Sequence, residues 1–139
     1  MVRDMRFLVV DSNGKTCRQA VVQLQDIGTL GEPLEAVSGA SALAILRSHA
    51  VDFVIAAWTL SDMSGPELAR RIRSDAGLRR LHVLLVAAEA KRDNAVAAAE
   101  SGANDVILRP FSADALEKKI TRIGTLLRAA GNRCSIARW

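Results

Sequence analysis

The chain has 139 residues, half of them hydrophobic (50%) and 24% charged, with a formal net charge of +4. That is one domain's worth of chain, so one compact core is expected, without a separate output or catalytic module. No apolar run approaches the roughly 18 to 20 residues that span a bilayer, and a pI near 9.7 is well short of a polybasic signature for nucleic acid.

The first ten residues, MVRDMRFLVV, hold only a short apolar run before Asp11, without the apolar core and small-residue cleavage site of a signal peptide, so a cytoplasmic location is expected. From there short β-branched runs alternate with stretches of helical period, the mark of a parallel sheet with crossover helices. The expected strands are Phe7 to Val10, Leu34 to Val37, Phe53 to Ala56, Val83 to Val86 and Val106 to Leu108. Nearly all their residues are apolar, as in strands covered on both faces; only the second, with Glu35, reads as an edge.

The first helix is expected from about Lys15 to Ile27, with Cys17, Ala20, Val21, Leu24 and Ile27 on one face and Gly28 as its stop. A second follows Ser38. The third has the clearest start, since Ser64 and Glu67 are spaced as a capping box and Pro66 suits a first turn. The fourth, about Arg92 to Ser101, is alanine-rich and ends at Gly102; the fifth follows Ser112, with Leu116, Ile120, Ile123 and Leu127 on one stripe and Lys118, Lys119 and Arg122 towards solvent. Cys17 and Cys134 suggest neither a disulfide framework nor a metal site. Residues 1–130 read as one domain and 131–139 as a flexible tail.

In a five-unit doubly wound domain the loops beyond the carboxyl ends of the strands converge, which brings together Asp11 and Ser12, Ala57, Ala87 and Ala88, and Arg109. The segments VVDS, DFVIAAWTLSDMSG, LLVAAEAKRDNAVAAAESGA and NDVILRPFSADALEKKI, over about residues 5 to 130, resemble the CheY-like receiver domains of bacterial response regulators. The resemblance implies a flavodoxin-like (βα)5 sheet with strand order 2-1-3-4-5, and a place in two-component or chemotaxis signal transduction.

Receivers of this family hold Mg²⁺ with two acids after the first strand and an aspartate ending the third, and that aspartate accepts a phosphoryl group. Matched position by position, the acid pair falls on Asp11 and Ser12 and the phosphoacceptor on Ala57; the hydroxy residue after the fourth strand falls on Ala87, the lysine after the fifth on Arg109, and the switch aromatic on Val106. An alanine methyl can neither attack phosphorus nor ligate a hard cation. The expectation is a degenerate receiver: no enzyme, no cofactor, and Mg²⁺ binding lost. Asp62 and Glu89 lie in the right loops but several residues from the ligand positions. Arg109 either pairs with Asp11 or points to solvent through the pocket mouth; Trp58 is either a gate over the pocket or an exposed aromatic at a contact surface. The resemblance also implies a cis bond at Arg109-Pro110.

Receivers commonly meet targets or dimerise through the face of their fourth helix, fifth strand and fifth helix, here Ala90, Lys91, Asn94, Ala98, Val106, Lys118, Lys119 and Arg122. A shallow alanine groove flanked by cations suits an acidic amphipathic peptide; the resemblance implies as partner a histidine kinase, a flagellar motor component, another signalling protein or a second copy of the chain. Two alternatives stand beside this: a phosphorelay regulator with an unconventional phosphoacceptor, and a regulator binding a cyclic dinucleotide through Arg128, Arg133, Arg138 and Trp139, which otherwise read as an ordinary solvated tail. No helix-turn-helix or zinc spacing supports DNA binding, and no membrane partner is expected.

Overall fold

A computed structural model describes residues 5–28, 31–88 and 92–123. Its elements are β1 (Phe7–Val10), α1 (Gly14–Ile27), β2 (Leu34–Ala36), α2 (Gly39–Ser48), β3 (Phe53–Ala57), α3 (Gly65–Ser74), β4 (His82–Ala87), α4 (Arg92–Ser101) and β5 (Asp105–Leu108), followed by α5 over 113–123. The strands form one parallel sheet in the order β2-β1-β3-β4-β5. This is the (βα)5 arrangement expected from the alternation of runs. No described helix is long and apolar enough to cross a membrane.

Strand alternation divides the core in two. Leu8, Val10, Val54, Val83 and Leu85 pack under α2, α3 and α4, while Phe7, Val9, Phe53, Ile55, Leu84 and Val86 meet α1 and α5; successive side chains point to opposite faces because the strand period is two. Cys17, Ala20, Val21 and Leu24 supply the buried stripe of α1, and Leu116, Ile120 and Ile123 that of α5. Leu127 lies outside the described residues.

The helix ends follow local chemistry. Asn13 Oδ1 accepts from the Lys15 and Thr16 amides to cap α1, and Gly28 closes it with φ 89°, a conformation an L side chain rarely adopts. Ser64 caps α3 by accepting from Glu67 N, but the return half of the expected box is absent: the Glu67 carboxylate accepts from Arg71 Nε at 3.0 Å instead. The reciprocal box forms at α2, between Ser38 and Ser41. β2 also ends one residue earlier than the periodicity suggests, leaving Val37 62% exposed.

At the amino end of the sheet His82 is half-buried, its ring edge 5.7 Å from Phe53 between centroids, with Nδ1 lacking a partner. Burial, then the Arg73 charge, lowers its pKa from 6.5, with Asp52 opposing. The folded state therefore holds a neutral ring that unfolding releases to protonate. This contribution is whole above pH 6.5 and shrinks as pH falls towards the folded pKa. Urea unfolding at about pH 7 and pH 5 should show wild type losing more stability than His82→Phe; equal losses would refute the assignment.

Candidate functional site

The chain runs from β1 outward to β2 and then back across β1 to β3, so a crevice opens beyond the carboxyl ends of those two strands. Register sets what meets there. Val10 pairs with Ala56 and Ala57 with Val86, so Asp11 and Ala57 leave neighbouring strands side by side; Ala87 pairs with Leu108, which delivers Arg109 to the same rim. The crevice is a cleft of about 490 Å³ lined by Asp11, Ser12, Ala57, Trp58, Ala87 and Arg109 among others.

Asp11 is the buried acid of this cleft, 5% exposed. Its Oδ2 accepts from Arg109 Nη2 at 2.6 Å and from Thr16 Oγ1 at 2.5 Å, and its Oδ1 accepts from the Asn13 amide at 2.9 Å. Of the two readings left open for Arg109, the structure takes the ion pair. The Arg109-Pro110 bond is cis.

Ser12 lines the cleft, but its hydroxyl is committed to the neighbouring loops. Its hydroxyl donates to the Val37 carbonyl at 2.8 Å and accepts from the Ser61 amide at 2.8 Å, tying together the loops after β1, β2 and β3. Asp62 is committed elsewhere: its carboxylate accepts from the Gly39 and Ala40 amides at 2.9 and 3.0 Å, and these amides hold its pKa below the usual value. Asp62 thus caps α2 from the loop after β3. Glu89 lies outside the described residues. Trp58 is half-buried, packs against the α2, α3, α4 core and lines the cleft. Its loop is pinned where Gly65 N donates to Trp58 O at 2.7 Å; a Cβ on Gly65 would sit 2.5 Å from the Ala57 carbonyl, so only glycine permits this approach.

On the α4, β5, α5 face the residues separate. Lys118 and Arg122 are exposed, Asn94 and Val106 half-buried. Ala98 is not on the surface: at 3% exposure it belongs to the core, because the buried stripe of α4 passes through it and Ser101. Lys119 is drawn down to Asp105 Oδ2 at 2.9 Å rather than pointing freely to solvent. Val96 and Leu108, 52% and 41% exposed, are the apolar residues the sequence did not single out here. Ala90 and Lys91, and the tail residues Arg128, Arg133, Arg138 and Trp139, lie outside the described residues. Cys17 is buried and its thiol is pushed up to about 12, by burial first and then by Glu35, so it stays protonated. Among the described residues no group of three or more His, Cys, Asp or Glu is placed to hold a metal ion.

The family model described as the response regulator receiver domain matches residues 7–121. The chain is 39% identical over 119 residues to the chemotaxis protein CheY of Pseudomonas aeruginosa, covering 86% of this chain and 95% of that one. It is 36% identical over 121 residues to CheY-3 of Vibrio cholerae, covering 87% and 92%. Among solved structures it is similar to a response regulator of Chloroflexus aurantiacus (TM-score 0.81, 26% identity, 86% of this chain and 97% of that one) and in fold to CheY4 of Vibrio cholerae (TM-score 0.79, 23% identity, 86% and 98%).

Proposed function

The chain belongs to the response regulator receiver domain family, and we propose that within two-component chemotaxis signalling it works as a protein-binding module that needs no phosphoryl transfer and no Mg²⁺, and is not an enzyme. The observation that carries this reading is the occupation of Asp11. The carboxylate that would serve a cation accepts from Arg109, Thr16 and Asn13 instead, with Ala57 where a nucleophilic carboxylate would stand. Ser12, at the second acidic position, spends its oxygen on Val37 and Ser61. A hard cation wants several oxygen ligands, and this donor set does not fit one.

A receiver switch is a choice between two packings biased by a phosphoryl group. Here the pair and the Ser12 and Asp62 ties would hold one arrangement permanently. Treatment with a small-molecule phosphodonor and Mg²⁺ is expected to add no phosphoryl mass and, in a Trp139→Phe background, to leave Trp58 emission unchanged. A stoichiometric mass gain would establish an unconventional acceptor and overturn the proposal.

The α4, β5, α5 face remains the proposed contact surface, for a kinase, a motor component or another signalling protein. Lys118, 78% exposed at its side chain and held by a solvent-exposed pair with Asp114 at 3.2 Å, and Arg122 would meet an acidic partner around the apolar Val96 and Leu108. Charge reversal at Lys118 and Arg122 together should weaken such a partner by about 1 kcal/mol or more, read by calorimetry, while phosphodonor should have no effect. Unchanged affinity of the doubly reversed variant would place the contact elsewhere.

A further inference from the structure

A groove of about 760 Å³ lies beside the cleft, between α1 and the turn after β5. The two share Asp11, Ala57, Val86 and Arg109, so the Asp11–Arg109 pair stands between them as a wall. The groove's surface is mostly apolar, offered chiefly by Val22 and Phe111 over a floor of buried Ala20 and Ile55, and its volume lies within the range of small-molecule sites, roughly 300 to 1,000 Å³.

Charge distinguishes its two ends. At one end stand Lys15 and Arg109; Arg18 on the rim is paired with Glu35 at 3.0 Å and contributes no free charge. Lys15 has no ion pair among the described residues. Asp11 is 7% exposed at its side chain and Arg109 34%, so the part of the pair that solvent and a ligand can reach is the guanidinium. At the other end Gln23 Nε2 donates to Phe111 O at 2.6 Å and closes the groove with neutral groups. Lys15 and Gln23 lie eight positions apart on α1, about 12 Å at 1.5 Å per residue.

We propose that this groove binds a medium-chain alkyl carboxylate, the head group between Lys15 and Arg109 and the chain along the apolar wall towards the Gln23–Phe111 bond. A cation at one end, aliphatic walls and a span of about 12 Å fit an extended chain of about eight carbons. A carboxylate there competes with Asp11 for the guanidinium, and a bidentate pair is open to it. The ligand would therefore bear on the pair that closes the cleft, an input reached without phosphoryl transfer.

Titration of the full-length chain with octanoate, followed by amide NMR, tests this. Saturable shifts are expected at Ala20, Val22 and the residues around Phe111, with a Kd of about 1 mM or tighter, the scale for a ligand of about ten non-hydrogen atoms. Octanamide, of the same shape without the charge, should bind about tenfold more weakly. Lys15→Gln should remove most of that preference, and Val22→Glu should abolish octanoate binding; both positions are exposed, so both variants keep the fold. Failure to saturate, shifts confined to other faces, or equal binding of octanoate and octanamide would overturn the proposal, as would uptake of an amphipathic helical peptide at these residues without uptake of octanoate.

Discussion

Replacing Arg73 with methionine should lower the free energy of unfolding by about 3 kcal/mol, measured by urea denaturation at neutral pH, although the residue is far from the cleft. From the last turn of α3 its guanidinium reaches two connecting segments at once: Nε donates to Gly102 O at 2.8 Å, Nη1 to Arg79 O at 2.9 Å and Leu81 O, and Nη2 to Asn104 Oδ1 at 3.1 Å. Asn104 Oδ1 also accepts from Val83 N at 2.6 Å, so the network runs into β4. Burial lowers the arginine's pKa, yet no carboxylate is needed because carbonyl oxygens supply the partners. Methionine fills similar volume but leaves the part-buried Leu81 and Gly102 carbonyls without their donors, at about 1 to 2 kcal/mol each. Lysine should recover only part, since one ammonium cannot span the fork. A loss below about 1 kcal/mol would show that water replaces the arginine at little cost.

The second large effect is expected at the cleft, in a double-mutant cycle of Asp11→Asn and Arg109→Met. Each single change should cost about 2 kcal/mol, and the double change less than their sum, with a coupling of about 1 to 2 kcal/mol. The buried partner argues for a high value. The one-third exposure of the Arg109 side chain argues against the upper limit, because water and salt screen that end. Coupling below about 0.3 kcal/mol would mean that the two charges are solvated independently, and the account of a permanently held cleft would lose its main support.

How far these features were legible varies with the distance over which each is decided. Strand and helix identities were visible because hydrophobic period is a local property, and strand ends missed by only a residue or so. Val37 falls outside β2 because its carbonyl accepts from Ser12, 25 positions away, and no window of sequence contains that bond. Glu67 had the spacing of a box but found Arg70 and Arg71 on its own helix. Ala98 looked like surface because alanine carries no burial signal of its own; the stripe that buries it depends on where α4 settles against α3 and β4. Arg73 was indistinguishable from Arg70 and Arg71 beside it.

The sequence by itself determined the alternation of elements, the identity of the side chains at the strand ends and so the absence of a carboxylate at Ala57, because composition and periodicity act within a few residues. The tertiary structure alone decided which of the remaining polar groups would find one another. Asp11 and Arg109 are 98 positions apart, Gln23 and Phe111 are 88, and Gly39 and Asp62 are 23. Buried donors and acceptors must be paired, but the partner is chosen by strand register and by the loops that cross the sheet's carboxyl edge, and those are fixed only when the whole sheet has formed.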